Sequence, residues 1–86
     1  MNPWNVQHVE VRGDKELAVK FADGLTGAVK FSDSHFQGVF APLREPSFFK
    51  KAYVEHGAVT WPGGQIDIAP DAMYDAIKAN GTWVLQ

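Results

Sequence analysis

The stretch that most constrains the fold lies at residues 59–71, where the signals for several elements of secondary structure follow one another. An apolar strand pattern ends at Trp61, a Pro-Gly-Gly turn follows at residues 62–64, and the apolar pattern resumes at residues 66–68. Pro70 suits the first position of a helix, because the N–H that proline lacks would find no partner there. We therefore predict a strand, a tight turn, a second strand and a helix in this stretch.

Residues 5–31 alternate between apolar and polar side chains, which predicts a three-stranded antiparallel meander. A three-residue loop at residues 22–24 pairs Phe21 with Leu25 and keeps the apolar side chains on one face, whereas a two-residue loop mixes charged and apolar side chains. A slip of one residue turns every side chain to the other face, so the apolar face selects the three-residue loop. Gly24 then takes the left-handed conformation that such a loop requires.

A second three-stranded meander is predicted in the later half of the chain. Its first strand covers residues 50–56, and a two-residue turn at residues 56–57 pairs Val54 with Val59. The loop at residues 62–65 returns the chain as a third strand with its apolar side chains on the same face. Each of the two predicted meanders therefore buries one apolar face.

Two helices complete the prediction. Ser32 suits the cap of a short middle helix whose apolar residues, Phe36 and Phe40, recur at helical spacing. The C-terminal helix is predicted over Pro70–Asn80, because an amphipathic stripe begins there and Gly81 is a strong stop signal.

These elements predict an α+β fold, with two antiparallel three-stranded meanders around an aromatic core, a short middle helix and a C-terminal helix. At 86 residues the chain has room for a single domain, residues 1–86. Aromatic residues make up 13% of the chain, and large rings bury much area in a small core. The expected core consists of Val9, Val11, Leu17, Val19, Phe21, Val29, Phe31, Phe36, Phe40, Val54, Val59, Trp61, Ile66, Ile68, Met73 and Ile77.

Composition and spacing argue against several functions. The chain has no cysteine, and His8, His35 and His56 lie on different predicted elements, so we expect no disulfide, metal site or cofactor. The net charge of −2 argues against direct nucleic-acid binding. No apolar run is long enough to span a membrane, and no secretion signal follows the first methionine, so we expect a cytoplasmic protein.

The candidate binding residues are Arg44, Trp61, Asp67, Tyr74 and Trp83. Asp67 is interpreted first as a cap of the C-terminal helix, and alternatively as a polar spot beside aromatic rings where a partner docks. Trp83 belongs to a short extended tail that either packs against the domain or stays free to bind a partner. Exposed aromatic side chains are common anchors of protein interfaces. Neither a nucleophile elbow nor a phosphate loop is present, so no catalytic residue is assigned.

Three segments resemble the bacterial domain of unknown function 2442 family. They are Val-Lys-Phe-Ala-Asp-Gly at residues 19–24, Gly-Val-Phe-Ala-Pro-Leu-Arg-Glu-Pro-Ser-Phe-Phe at residues 38–49, and Thr-Trp-Pro-Gly-Gly-Gln-Ile-Asp-Ile-Ala-Pro-Asp-Ala-Met-Tyr at residues 60–74. The resemblance implies a small α+β domain, encoded beside another small protein in what look like toxin–antitoxin pairs. It implies an antitoxin-like or regulatory role and no catalytic residues.

The sequence leaves two kinds of function open. The leading hypothesis is a protein-binding module, not an enzyme, whose partner is a small, toxin-like protein. The alternative is a small-ligand-binding domain or minor enzyme with a site near residues 61–74. The unpaired edges of two small sheets would also allow two copies to pair as a homodimer.

Overall fold

The computed structural model describes residues 3–13, 15–63 and 66–85. In these residues the chain has an α+β fold, with six strands in two sheets and several helices. The elements in chain order are β1 (Val6–Val11), β2 (Glu16–Phe21), β3 (Thr26–Phe31), two 3₁₀ helices (Asp33–His35 and Gly38–Arg44), α1 (Pro46–Phe49), β4 (Tyr53–Glu55), β5 (Ala58–Thr60), α2 (Pro70–Asn80) and β6 (Thr82–Leu85). The helices of these ranges are all too short or too polar to cross a membrane.

The first meander forms in the predicted register. Val19 pairs with Gly27 across β2 and β3, and the N–H of Phe21 donates to the carbonyl of Leu25 at 2.8 Å. Gly24 has a φ of 96°, the left-handed conformation expected of the three-residue loop. The apolar face of the three strands therefore selects the register, as the sequence predicts.

The extended tail forms a fourth strand, β6, which the sequence analysis did not assign to either meander. It lies beside β3 and parallel to it, so the strand order is β1-β2-β3-β6. Parallel neighbours need a long crossover, and the segment from Ser32 to Gly81, including α2, provides it. Trp83 and Leu85 pack back against the core as partly buried side chains.

The second meander is reduced to a hairpin. β4 and β5 pair with Val54 opposite Val59, as predicted, and the N–H of Ile68 donates to the carbonyl of Val59 at 3.1 Å. The predicted third strand makes an isolated bridge between Thr60 and Asp67 in place of a ladder. The prediction for loop residues 64 and 65 lies outside the described residues.

The first strand of this hairpin begins at Tyr53, later than predicted. Residues 46–49 form the helix α1. Hydrogen-bonded turns follow it directly, and in one of them the N–H of Lys51 donates to the carbonyl of Phe48. Pro46 occupies the start of this helix, where its missing N–H needs no partner.

The C-terminal helix has the predicted bounds, Pro70–Asn80. It ends at Gly81, which adopts a left-handed conformation with a φ of 80° and donates its N–H to the carbonyl of Ile77 at 2.7 Å. The helix lies close to β3, because Gly27 has no side chain: a Cβ there would lie 2.4 Å from Cγ2 of Ile77.

The middle of the chain carries 3₁₀ turns where one short helix was predicted. Ser32 is the residue before the first 3₁₀ helix, but its side chain does not cap it. The hydroxyl donates to the carbonyl of Leu85 at 2.9 Å, and the N–H of Ser32 donates to the same carbonyl at 2.8 Å. Ser32 therefore holds the C-terminal end of β6 beside the end of β3 through two hydrogen bonds.

The aromatic core is confirmed, with changes at its margin. Twelve predicted core residues are buried, and Val9, Val11, Phe40 and Val54 are partly buried. Three further residues are buried that the sequence analysis left out: Val6, Leu43 and Phe49. The pairing of β1 with β2 shifts between Val6 and His8, which explains why Val6 faces the core outside the simple alternation.

Candidate functional site

The face of the four-stranded sheet that points away from the core, the outer face, is exposed to solvent. Its side chains form three rows that run across the strands. The two rows at the sides are mostly charged or polar. One contains His8, Lys20 and Thr26, and the other contains Arg12, Glu16 and Lys30 and ends at the apolar Val84. The middle row contains Glu10, Ala18, Ala28 and Thr82.

The small side chains of the middle row leave a trough between the charged rows. Ala18 and Ala28 lie directly opposite each other and form its floor. The trough is open to solvent and has a volume of about 580 Å³, and Gly27 and Gly81 lie at one side. The backbone of the sheet is therefore open to approach from solvent here.

Both signs of charge surround the trough. The guanidinium of Arg12, the residue after β1, lies 3.9 Å from the carboxylate of Glu10, and Glu16 pairs across the sheet with Lys30. Lys20 adds a further positive charge in the opposite row. A rim with both signs of charge can pair with charges of either sign, and such pairs fix orientation where two surfaces meet.

A second polar cluster joins the β1–β2 turn to the middle of the chain. The Lys15 ammonium contacts Asp33, and this bond, with the positive charge of Lys15 and then of Arg44, lowers the pKa of the Asp33 carboxyl. Arg44 donates from Nε to the carbonyl of Phe36 at 2.8 Å. These residues and Pro46 line a cleft of about 330 Å³.

A third cluster joins the β2–β3 turn to α2. Tyr74 donates its hydroxyl to Oδ2 of Asp23, while Oδ1 accepts the N–H of Leu25 at 2.9 Å. The Tyr74 bond is the largest cause of the lowered pKa of Asp23, and the same bond raises the pKa of Tyr74. The Tyr74 ring packs edge-on against Phe21, and Nζ of Lys78 lies 5.6 Å from its centroid.

Replacing Tyr74 with phenylalanine is expected to raise the pKa of the Asp23 carboxyl towards its ordinary value of 3.8, because the phenol no longer stabilises the carboxylate. Since the folded pKa is lowered, this contact stabilises the fold above pH 3.8, and the contribution disappears as the pH falls through the folded pKa. NMR titration of the carboxyl carbons measures the shift. Asp33 is the internal control, and equal shifts at both carboxyls would contradict the assignment.

The five candidate residues have separate surroundings in the structure. Trp61 is buried, and its indole N–H donates to the carbonyl of Phe49 at 2.9 Å. Asp67 is exposed beside Thr60, and Trp83 lies partly buried on the inner face of β6. Tyr74 binds Asp23 in the third cluster, and Arg44 lines the cleft of the second.

Asp67 does not cap α2, which corrects the first interpretation of this residue. Ala69 is the residue before the helix, and no side-chain hydrogen bond caps it. Asp71 accepts the N–H of Ala72 at 2.9 Å in the first turn, where a carboxylate also complements the helix dipole.

Sequence reasoning missed the outer face and the partners of Tyr74 and Arg44. The alternation of small residues with charged ones in β2 and β3 was the available signal for the trough. No local signal connects Tyr74 with Asp23, since 51 positions separate them. Among residues 3–13, 15–63 and 66–85, no three histidine or acidic side chains gather in a way that could hold a metal ion.

Comparison with known proteins gives one match. A family model described as "Protein of unknown function (DUF2442)" matches residues 6–79. Searches of curated proteins and of solved structures returned no match.

Proposed function

This chain belongs to the DUF2442 family, and we propose that it is a cytoplasmic protein-binding module whose outer face binds a small protein partner. The exposed trough carries the proposal. Its alanine floor lies between two charged rows, which suits a partner that inserts an apolar side chain and places charges of both signs around it.

Binding without catalysis agrees with the chemistry of the acidic clusters. The carboxyls of Asp23 and Asp33 have lowered pKa values because each is held by a donor, Tyr74 or Lys15. A general acid or base works best when its pKa lies near the working pH, which for a carboxyl requires a raised value. Both contacts join a turn to a distant segment, so they serve the fold.

The high aromatic content of the chain supports this proposal less strongly than the outer face of the sheet does. Phe21, Phe31, Phe36, Phe49 and Trp61 are all buried, and they pack against one another or against Tyr74. Trp4 and Tyr53 are exposed and remain available as anchors at the margin of an interface.

The antitoxin-like part of the proposal rests on the family resemblance and is tested with the adjacent gene. The protein encoded beside this chain is expressed alone and together with it. We expect the neighbour alone to slow growth, and co-expression to restore growth and give a stable complex on size exclusion. Unchanged growth with no complex would contradict the antitoxin-like role.

The outer face is tested by Ala28→Arg, which fills the trough and is expected to weaken the complex at least tenfold by calorimetry. Val39→Arg is the matched control, because it places the same side chain at a site that is 63% exposed in the second 3₁₀ helix. Thermal melts confirm that both variants are folded. Equal affinity of the two variants would place the interface elsewhere.

A further inference from the structure

β6 forms one edge of the four-stranded sheet. The N–H of Ala28 donates to the carbonyl of Gly81, and the N–H of Ser32 donates to that of Leu85. Peptide groups alternate in direction along a strand, so the groups of Thr82 and Val84 point away from β3. One row of donors and acceptors on β6 therefore faces outwards at the sheet edge.

β6 lacks the features that usually protect such an edge. Its sequence, Thr-Trp-Val-Leu, contains no charge and no proline, and the side chain of Val84 is 51% exposed. The opposite edge strand, β1, has an irregular register at its start, and its Val6 N–H donates to the carbonyl of Gly57 at 2.8 Å. An unprotected edge without charge is a template for pairing with another strand.

We propose that β6 pairs antiparallel with β6 of a second copy of this chain, with the two-fold axis at Trp83. In this register Thr82 of each copy pairs with Val84 of the other. The outward N–H and carbonyl groups of both residues are then satisfied by four hydrogen bonds. The even register also keeps each side chain on its own face of the sheet.

The side chains that meet in this register are complementary. The two Trp83 rings lie opposite each other at a closely spaced, non-hydrogen-bonded position, where aromatic cross-strand pairs stabilise a sheet. On the outer face, the row that contains Lys30 and Val84 continues into the Thr82 and Ala28 of the second copy, so like charges do not meet. The interface repeats the same patch on both copies, as two-fold symmetry requires.

The dimer is expected to be concentration-dependent, because two four-residue strands bury less surface than a standard stable interface. Sedimentation of the full chain should give a mass that rises from 9.5 kDa towards twice that value with concentration. Val84→Pro removes an outward N–H without breaking a bond to β3, and Val84→Lys adds a charge to the edge. Both are expected to weaken dimerisation at least tenfold.

Val39→Lys is the matched control and should dimerise as the natural sequence does. A mass of 9.5 kDa at every concentration would overturn the proposal. Equal dimerisation of Val84→Lys and Val39→Lys would overturn it as well, since the interface would then lie elsewhere.

The register is tested separately by oxidation, because the natural chain contains no cysteine. Trp83→Cys should form a disulfide between copies in air, while Val84→Cys should remain largely reduced, since it lies opposite Thr82 of the other copy. Faster cross-linking of Val84→Cys than of Trp83→Cys would overturn the Trp83-centred register.

Discussion

Replacing Trp61 with alanine is expected to lower the free energy of unfolding by about 3–5 kcal/mol, because it removes the largest buried side chain of the core. The Trp61 ring lies 5.9 Å from Phe49 and 6.4 Å from Phe31, between centroids. Its indole N–H also donates to the carbonyl of Phe49 at 2.9 Å, and the substitution would leave that carbonyl with only the longer bond from the N–H of Ala52, at 3.3 Å. The cavity and the lost hydrogen bond therefore both lower the free energy of unfolding.

Urea unfolding followed by circular dichroism measures this change, and two variants complete the series. Trp61→Phe keeps a ring and should lose less stability than Trp61→Ala. Trp4→Ala makes the same type of change at a site that is 36% exposed and should lower the free energy of unfolding by clearly less than Trp61→Ala does. Equal losses at the two tryptophans would show that Trp61 is not the centre of the core.

Replacing Gly27 with alanine is expected to lower the free energy of unfolding by about 1–3 kcal/mol. The added Cβ would lie 2.4 Å from Cγ2 of Ile77 and 2.8 Å from the carbonyl oxygen of Gly81. Glycine in a strand is normally less stable than alanine by about 0.5–1 kcal/mol, so the sign depends on whether the neighbours can move. The backbone oxygen cannot rotate away, and we therefore expect the clash to dominate.

A double-mutant cycle with Ile77→Ala measures the contact directly. Ile77→Ala removes the closest methyl group, so Gly27→Ala should cost less in that background, although the Gly81 oxygen remains. Ala28→Val is the matched control, since it adds bulk to the next residue on the outer face. Additive losses in the cycle would contradict the close approach of α2 to β3.

The parts of the fold that the sequence predicted depend on local rules. The register of β2 with β3 follows from which loop length keeps the apolar residues on one face. The bounds of α2 follow from Pro70 and Gly81, which fix the ends of the helix through their backbone chemistry. Each of these signals lies within a few residues of the structure that it determines.

The missed parts depend on contacts between distant residues. Phe49 follows Phe48 in a short apolar run, and only the packing of Phe31 and Trp61 around it shows which ring is buried. The alternation in β6 is compatible with a strand in any sheet, and its partner β3 lies far away in sequence. The same limit applies to the candidate site, where Arg44 and Tyr74 find their partners through the tertiary fold.

The pairing of β6 with β3 has a consequence for the order in which the protein folds during synthesis. Ala28 pairs with Thr82, which is 54 positions later in the chain, so β3 leaves the ribosome long before its neighbour exists. The first three strands can form a local meander early, because their contacts are close in sequence. The remaining edge of β3 and the apolar face under α2 stay uncovered until α2 and β6 have left the ribosome, so this part of the fold can form only then.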